Sequence, residues 1–428
     1  MSSYKQLKLI YIYILAIANC IFLIIRCGRQ FYSDTLSYII AWDNIANGQI
    51  DKWRTPLYPL FLGSVKAVFG QELFPICAVV IQFLFFGVSI YFFYKLTNIL
   101  LQSESISYWL TAFYALYPCI PTWNCFLITE PIAIYAIVFL LYSTIHAINM
   151  NSRLHIYLTS FWLFFLVFLR PALIYLIPVY LFGWLLYCIN KKTITKSAVE
   201  GLIGILLVGL SLATYSFCFK MSYGMFAPSG IGTVNQYYIA RIDGAIDPML
   251  TENPNLKAYV ENSIIIHGKE FSNGSSHDLY QEAIHAIDTY GLKDVSNLVS
   301  SSYMNDKKKY LKRICLHVHR AATDKLFDSF LNKFRSVIDI IGIRINFIYL
   351  ILFFYTIFLM IKYKEKKMFP LFSSIIYLMG FCHLFVIIVG CQNEWFRLIL
   401  PVVPCYLLMF GQLLSMLKFS RNTKMVFM

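Results

Sequence analysis

Asp34, Glu130, Arg170 and Arg397 stand at the edges of long apolar runs, away from the polar stretches that hold most of the charge. Tyr38 follows Asp34 by four residues, and Arg54-Thr-Pro-Leu-Tyr58-Pro59 opens the next apolar piece. Thr129-Glu130-Pro131 and Arg170-Pro171 each begin a further run, and Arg397 precedes Pro401 and Pro404. Ionised carboxylates accept protons and hydrogen bonds, while Arg presents a planar fork of donors suited to carboxylate or phosphate oxygens. A charge at mid-membrane costs about 2.5–3.5 kcal/mol on insertion scales, so residues of this kind are functional candidates by default. Snorkelling or structural ion pairing accounts for Glu130, Arg170 and Arg397 equally well. Tyrosines are ordinary at a bilayer interface, so Tyr38 and Tyr58 read first as structural, and so does Arg54.

The elements that must position these residues follow from composition. Of 428 residues, 59% are hydrophobic and 14% charged, against about 25% charged in soluble domains. That excludes a soluble globular protein, a disordered chain, collagen and a coiled coil. The formal charge of +14 is spread in short clusters between apolar runs, so nucleic acid is not an expected partner. Eleven cysteines form no C-x-x-C pair and fall mostly in apolar runs, where Cys packs as a small hydrophobe. His317-x-His319 and the Asp278, Glu282, His285 face lack the spacing of metal ligands. No P-loop, dinucleotide fingerprint or G-x-S-x-G is present.

A helix needs about 20 apolar residues to cross a bilayer. Ten stretches approach that: 9–25, 73–94, 106–125, 131–150, 154–169, 171–189, 200–219, 337–361, 369–391 and 398–417. Asp339 and Arg344 load the start of the eighth, and the piece 56–69 is too short to span. No A-x-A cleavage motif follows 9–25, so that run is expected to remain as an anchor rather than a signal peptide. With the N-terminus inside, the cytoplasmic segments hold Lys5, Lys8, Lys95, Arg153, Lys191, Lys192 and Lys196. They also hold Lys362, Lys364, Lys366, Lys367, Lys418, Arg421 and Lys424, which makes 14 basic residues. The first outer stretch has five, partly matched by Asp34, Asp43, Asp51 and Glu72. The positive-inside rule therefore puts both termini in the cytoplasm. All four edge charges then fall at one membrane face, where chance would scatter them over both.

The expected fold is an all-α polytopic membrane protein with about ten transmembrane helices. A short re-entrant or interfacial helix and one extracytoplasmic helical segment complete it. Residues 1–220 form an N-terminal transmembrane module with the outer loop 26–54. Residues 221–336 form the extracytoplasmic segment, and 337–428 the C-terminal helices. Within 221–336, Leu279, Ala283, Ile284 and Ile287 share one helical face. Leu311, Ile314, Cys315, Val318 and Ala322 share another, beside Lys307, Lys308, Lys309, Lys312 and Arg313. The second stripe reads equally as the core face of a small domain or as a membrane-surface helix.

An Asp just after the first span, Tyr38 and Ala41 beyond it, and Arg54-Thr-Pro-Leu-Tyr-Pro opening the next helix resemble the GT-C membrane glycosyltransferases. More narrowly, they resemble the bacterial branch related to protein mannosyltransferases and aminoarabinose transferases. Thr129-Glu130-Pro131, Arg170-Pro171, and Arg397 with Pro401 and Pro404 follow in the same order. The likeness covers 1–220 and, more loosely, 337–417. Many relatives carry two adjacent acids in the first outer loop, whereas Asp34 lies between Ser33 and Thr35. A second acid is then absent, or is supplied by Asp43, Asp51 or Glu130.

The resemblance implies transfer of a hexosyl or pentosyl group from a polyprenyl-phosphate-linked donor to a lipid, glycan or protein acceptor at the outer face. The setting implied is the cell envelope, in a bacterial inner membrane, and the pattern leaves room for a divalent cation. Asp34 would be the catalytic base on an acceptor hydroxyl. Arg397, and after it Arg170, would hold the donor phosphate. Arg54 would order the first loop or touch the donor, Glu130 would bind sugar hydroxyls or hold an Arg, and Tyr38 and Tyr58 would stack on the sugar.

Two other readings compete. A cell-envelope polysaccharide polymerase or ligase also has about ten spans and outer-face arginines. A lipid-linked sugar transporter or flippase would show charged or broken helices at mid-membrane and paired halves, whereas here the cores of most spans are uncharged and the two halves do not resemble each other. The orientation is tested by labelling single introduced cysteines with an impermeant thiol reagent in intact cells. Position 273 should label and position 364 should not; the reverse pattern would invert the topology.

Overall fold

The computed structural model describes residues 2–27, 31–32, 34–117, 119–190, 195–323, 345–366, 370–391 and 395–426. These residues are almost entirely helical, and no β-strand occurs among them. Among the described residues, seven helices are long and apolar enough to cross a membrane, with Leu9–Ile25 and Arg153–Leu169 as shorter apolar helices. The chain is therefore a multi-pass membrane protein. Asp339 and Arg344 lie outside the described residues; the eighth expected run is helical from Ile345–Lys366.

Two expected boundaries differ. The run 106–125 is not one helix: Glu104–Leu116 ends there, and Cys119–Thr122 and the 3-10 turn Trp123–Cys125 follow as short pieces. The short piece 56–69 is continuous with the following span in Leu57–Leu101, broken at Gly70. Gly70 takes φ 74°, a left-handed conformation open to glycine at little cost. Pro75 stands five residues beyond the break, inside the helix, where it has no N–H to donate to the preceding turn. The part before the break packs on Thr35–Ala46, and Gly63 allows the approach because Trp42 occupies the space a Cβ would need.

Thr129–Met150 is the most enclosed of the seven candidate spans and forms the axis of the bundle. Leu57–Leu101 and Arg153–Leu169 pack along it, and the turn Leu400–Val402 lies against it. Buried Ser143 and Thr144 return their hydroxyls to carbonyls one turn back, so both are satisfied within the helix. A residue at its N-terminus is thereby delivered to the centre of one end of the bundle. Glu130 is that residue.

A second apolar core lies beyond this end, built from Phe219, Val234, Tyr237, Leu256, Val260, Ala283, Ile287, Val295 and Leu298, among others. It belongs to Ile231–Ile242, Pro254–His267, Ser276–Tyr290 and Leu292–Asn305, which begin after Gly224 closes Lys196–Tyr223. Asn253 with Pro254 starts one of these helices, and a Ser275–Asp278 capping box starts another. Leu279, Ala283 and Ile287 are buried, with Ile284 packed beside them. Glu282 is engaged by Arg241, Tyr237 and Ser263, so it fastens this core.

The stripe on Lys307–Thr323 runs the other way from a core face. Leu311 is 62% exposed and Val318 41%, and Cys315 is exposed as well, whereas Arg313 and His317 are buried. Polar contacts decide this. Arg313 and His317 reach the last carbonyls of Leu371–Gly390, and a membrane helix end needs such partners more than it needs apolar cover.

Candidate functional site

Asp34 occupies the N-cap position of Thr35–Ala46, yet its side chain makes no capping bond. Both carboxylate oxygens are committed elsewhere. Arg54 donates from Nη2 to Asp34 Oδ1 at 2.8 Å, and Arg397 donates from Nη1 to Oδ2 at 2.9 Å. Arg397 Nε also lies 3.4 Å from Glu130 Oε1, and Arg170 Nη1 lies 3.0 Å from the same oxygen. The order is Arg54, Asp34, Arg397, Glu130, Arg170: five charges of alternating sign at one end of the bundle. Three guanidiniums face two carboxylates, so the cluster carries one surplus positive charge.

Each member is placed by local sequence. Pro171 disfavours helical backbone at the preceding residue, and Arg170 is extended at φ −153°, ψ 118°, which ends Arg153–Leu169 there. Glu130 sits in the first turn of Thr129–Met150, where the helix dipole favours a carboxylate. Thr129 Oγ1 donates to Glu130 Oε2 and accepts from Arg170 Nη1. Arg397 stands in the short helix Trp395–Leu398, and His383 of Leu371–Gly390 donates from Nε2 to Leu398 O at 2.8 Å.

The loop before Glu130 is pinned from three sides. Gln82 is fully buried and donates to the carbonyls of Asn124 and Phe126. Tyr135 donates to Asn124 Oδ1, and Thr35 Oγ1 donates to Leu127 O. Thr35 thus ties the Asp34 segment to the segment that carries Glu130.

Arg54 is set by Asp51, whose Oδ1 accepts from the N–H groups of Trp53 and Arg54 while Oδ2 accepts from Asn44. Its side chain then reads one turn of Thr35–Ala46. Nε donates to Ser37 Oγ, Nη1 donates to Tyr38 Oη, and the guanidinium lies 4.4 Å from the Tyr38 ring centroid. Arg397 lies over Tyr32 in the same way, at 4.7 Å.

The expected site residues therefore divide. Asp34, Arg54, Glu130, Arg170, Arg397 and Tyr38 come together. Tyr58 does not join them as a stacking surface. It is fully buried beneath Tyr38, edge to face at 4.8 Å, and donates to Gln82 Oε1, so no ring face is left for a sugar. Of the three proposed second acids, Glu130 lies across Arg397 from Asp34, Asp51 is spent on its turn, and Asp43 pairs with Lys66. Residues outside the expected set are Thr35, Tyr32, Ser37, Gln82 and His383. Thr35, Ser37, Gln82 and His383 each bond through one polar side chain to a main-chain carbonyl, and Tyr32 offers a ring to Arg397, which leaves no spacing signal in the sequence.

Exposure grades the cluster. The Asp34 side chain is 24% exposed and Glu130 only 3%. Asp34 is the carboxylate an incoming molecule meets first. Burial alone would raise its pKa, but the adjacent Arg54 and Arg397 guanidiniums outweigh that and hold it well below the usual carboxylate range. It is an ionised acceptor across the physiological range. A divalent cation is not matched by this donor set. No group of three His, Cys, Asp or Glu side chains converges among the described residues, and a guanidinium already stands between the two acids.

The second core roofs this end. Gly230 N donates to Lys52 O at 2.7 Å, Lys52 pairs with Asp288 at 2.6 Å, and Trp53 and Tyr280 pack in the same apolar cluster. Tyr280 is within electrostatic reach of Arg54, Asp34 and Arg397, so Ser276–Tyr290 overlooks the site. No protein family and no curated protein matches the chain.

Removing one partner of a buried ion pair costs about 3–5 kcal/mol, and exposed pairs about 0–1 kcal/mol. Glu130→Gln should therefore lower the melting temperature in detergent more than Asp34→Asn does; the opposite order would contradict the burial gradient. Because the Asp34 pKa is depressed in the fold, its stabilisation is complete above the unfolded value, about 3.9, and is lost as pH falls below it. Acidification through that range should destabilise the wild type more than Asp34→Asn.

Proposed function

We propose that the protein is a glycosyltransferase that moves a sugar from a polyprenyl-phosphate donor to an acceptor at the membrane face where the five-charge cluster lies. The observation that carries this reading is Asp34 itself: the most accessible carboxylate of the cluster, ionised, beside the arginine that also reaches Glu130. An acceptor hydroxyl bonded to Asp34 is oriented and made more nucleophilic as its proton passes to the carboxylate. The oxygen attacks the anomeric carbon, the bond from that carbon to the phosphate oxygen breaks, and polyprenyl phosphate leaves. The negative charge that grows on that phosphate is met by Arg397, with Arg170 behind it. The surplus positive charge of the cluster suits an anionic leaving group, and the apolar flanks of the bundle suit a polyprenyl chain. The likeness to GT-C enzymes at Asp34, Arg54, Glu130, Arg170 and Arg397 supports the same assignment.

The topology that goes with this reading has ten passages. They are the seven long helices together with Leu9–Ile25, Arg153–Leu169 and the broken segment 104–125. Both termini are cytoplasmic, by the distribution of Lys and Arg, and the bacterial inner membrane is the proposed location. The cluster and the helical segment above it then face outward.

The test is a panel of labelled polyprenyl-phosphate sugars offered to the reconstituted protein. One donor should yield labelled acceptor together with free polyprenyl phosphate. Asp34→Asn should cut transfer by about 10²–10⁴-fold, the usual scale for losing a general base, with donor binding little changed. Movement of label across the bilayer without release of polyprenyl phosphate would point to a transporter. Near-normal turnover in well-folded Asp34→Asn protein would remove the base and favour the polymerase reading.

A further inference from the structure

The helix Lys307–Thr323 buries Arg313 and His317 against the protein and leaves Leu311, Cys315, Leu316 and Val318 exposed, beside exposed Lys307, Lys308, Lys312, His319 and Arg320. Arg313 donates from Nη2 to Val389 O at 3.0 Å and bonds Tyr303, while Asp243 lies 3.6 Å away. His317 Nδ1 donates to Ile388 O at 3.1 Å. From the neighbouring span, Tyr349 Oη donates to Val318 O at 3.1 Å. Ile388 and Val389 end the candidate span Leu371–Gly390, and Tyr349 lies near the start of Asn346–Lys364. Two antiparallel spans thus hold the helix at one level, that of their own ends.

At that level the outward face holds Leu311, 62% exposed, and Val318, 41% exposed, with Cys315 between them on the same side. Lys307, Lys308 and Lys312 are exposed along the N-terminal half. Lys309 is turned inward and donates to Gly244 O. The face is continuous in character with the spans that carry the helix. Phe347 and Leu350 on one and Phe381 and Phe385 on the other are roughly half exposed, as side chains facing lipid are. A water-facing helix would place its polar residues outward and its apolar ones inward. This one buries Arg313 and His317 and exposes Leu311, Cys315 and Val318, and an apolar stripe bordered by basic side chains at the level of helix ends matches a helix lying in the headgroup layer.

We propose that the helix Lys307–Thr323 is a lipid-binding element, with Leu311, Cys315 and Val318 dipping below the headgroups and Lys307, Lys308 and Lys312 binding anionic headgroups. The cationic border selects negatively charged lipid, and the apolar stripe gives penetration that charge alone would not. Through Arg313 and His317 the same helix holds the outer end of Leu371–Gly390, which supplies His383 to the carbonyl beside Arg397. The inference needs no transfer activity and stands apart from the enzymatic reading.

The experiment places single nitroxide labels at positions 311, 318 and 273 of the full-length protein, with the native exposed cysteines replaced. The protein is reconstituted into bilayers of phosphatidylcholine alone or with one third phosphatidylglycerol. Labels at 311 and 318 should favour oxygen over a water-soluble nickel chelate, and 273 should favour the chelate. Depth at 311 and 318 should increase with phosphatidylglycerol, and Lys307→Gln/Lys308→Gln/Lys312→Gln should erase that increase while melting as the wild type does. Free access of the chelate to 311 and 318 in both bilayers would overturn the proposal. So would a depth that ignores lipid charge, or protection of both positions from both reagents, which would mean that protein covers the face.

Discussion

The Arg397 guanidinium, 2.9 Å from Asp34 and 3.4 Å from Glu130, is the contact on which this end of the molecule depends. It joins a segment near the C-terminus to the first loop and to the axial helix, across 363 residues in the case of Asp34. None of these charges is comfortable alone, since a carboxylate or guanidinium taken from water is costly until it is paired and hydrogen-bonded. Alternation of sign solves this for all five together. Arg54 and Arg397 share Asp34, Arg397 and Arg170 share Glu130, and removing an inner member leaves two neighbours short. The cluster is therefore cooperative, and the helices that bear it are held in one arrangement at this end.

The cluster is also less closed than ion pairing alone would make it. A purely structural clasp would gain from complete burial and charge balance, yet the cluster keeps Asp34 partly open and one positive charge in excess. Proline and glycine adjust the backbone to that end. Pro171 turns Arg170 out of its helix, Gly70 breaks Leu57–Leu101 so that its first part can hold Thr35–Ala46, and Asp51 sets the turn that delivers Arg54. Gln82, Tyr135 and Thr35 fix the loop before Glu130 through its own carbonyls and Asn124. Rigid support of this kind is what a site needs when its partners must meet within tenths of an ångström.

The charges at helix edges were legible from sequence because the bilayer makes each of them expensive, and an expensive residue stands out in a row of Ile, Leu and Phe. Which arginine meets which acid was not legible, since the pairing depends on helix packing and not on spacing. Tyr58 shows the same limit. Its neighbours mark the loop correctly, but only the fold shows that Tyr38 covers it. His383 and Gln82 were hidden for another reason: one polar group bonded to a main-chain carbonyl has no partner that a sequence can display. On Lys307–Thr323 the periodicity located an apolar stripe, and the helix ends beneath it decided that the stripe faces away from the protein. The end of Glu104–Leu116 at an extended Tyr117 left even less trace, because an apolar run reads the same whether or not its helix is continuous.

Binding of a long-chain polyprenyl phosphate without any sugar, titrated against the reconstituted protein, tests the central claim most directly. The claim is that the phosphate lands on the guanidinium now shared by Asp34 and Glu130. If so, Asp34→Asn, which releases one competitor for that guanidinium, binds at least as tightly as the wild type. Arg397→Gln should bind at least about tenfold more weakly, a loss of about 1.4 kcal/mol. Equal affinity of wild type and Arg397→Gln, both well folded, would contradict the account, because the cluster would then be a clasp between helices and the phosphate site would lie elsewhere.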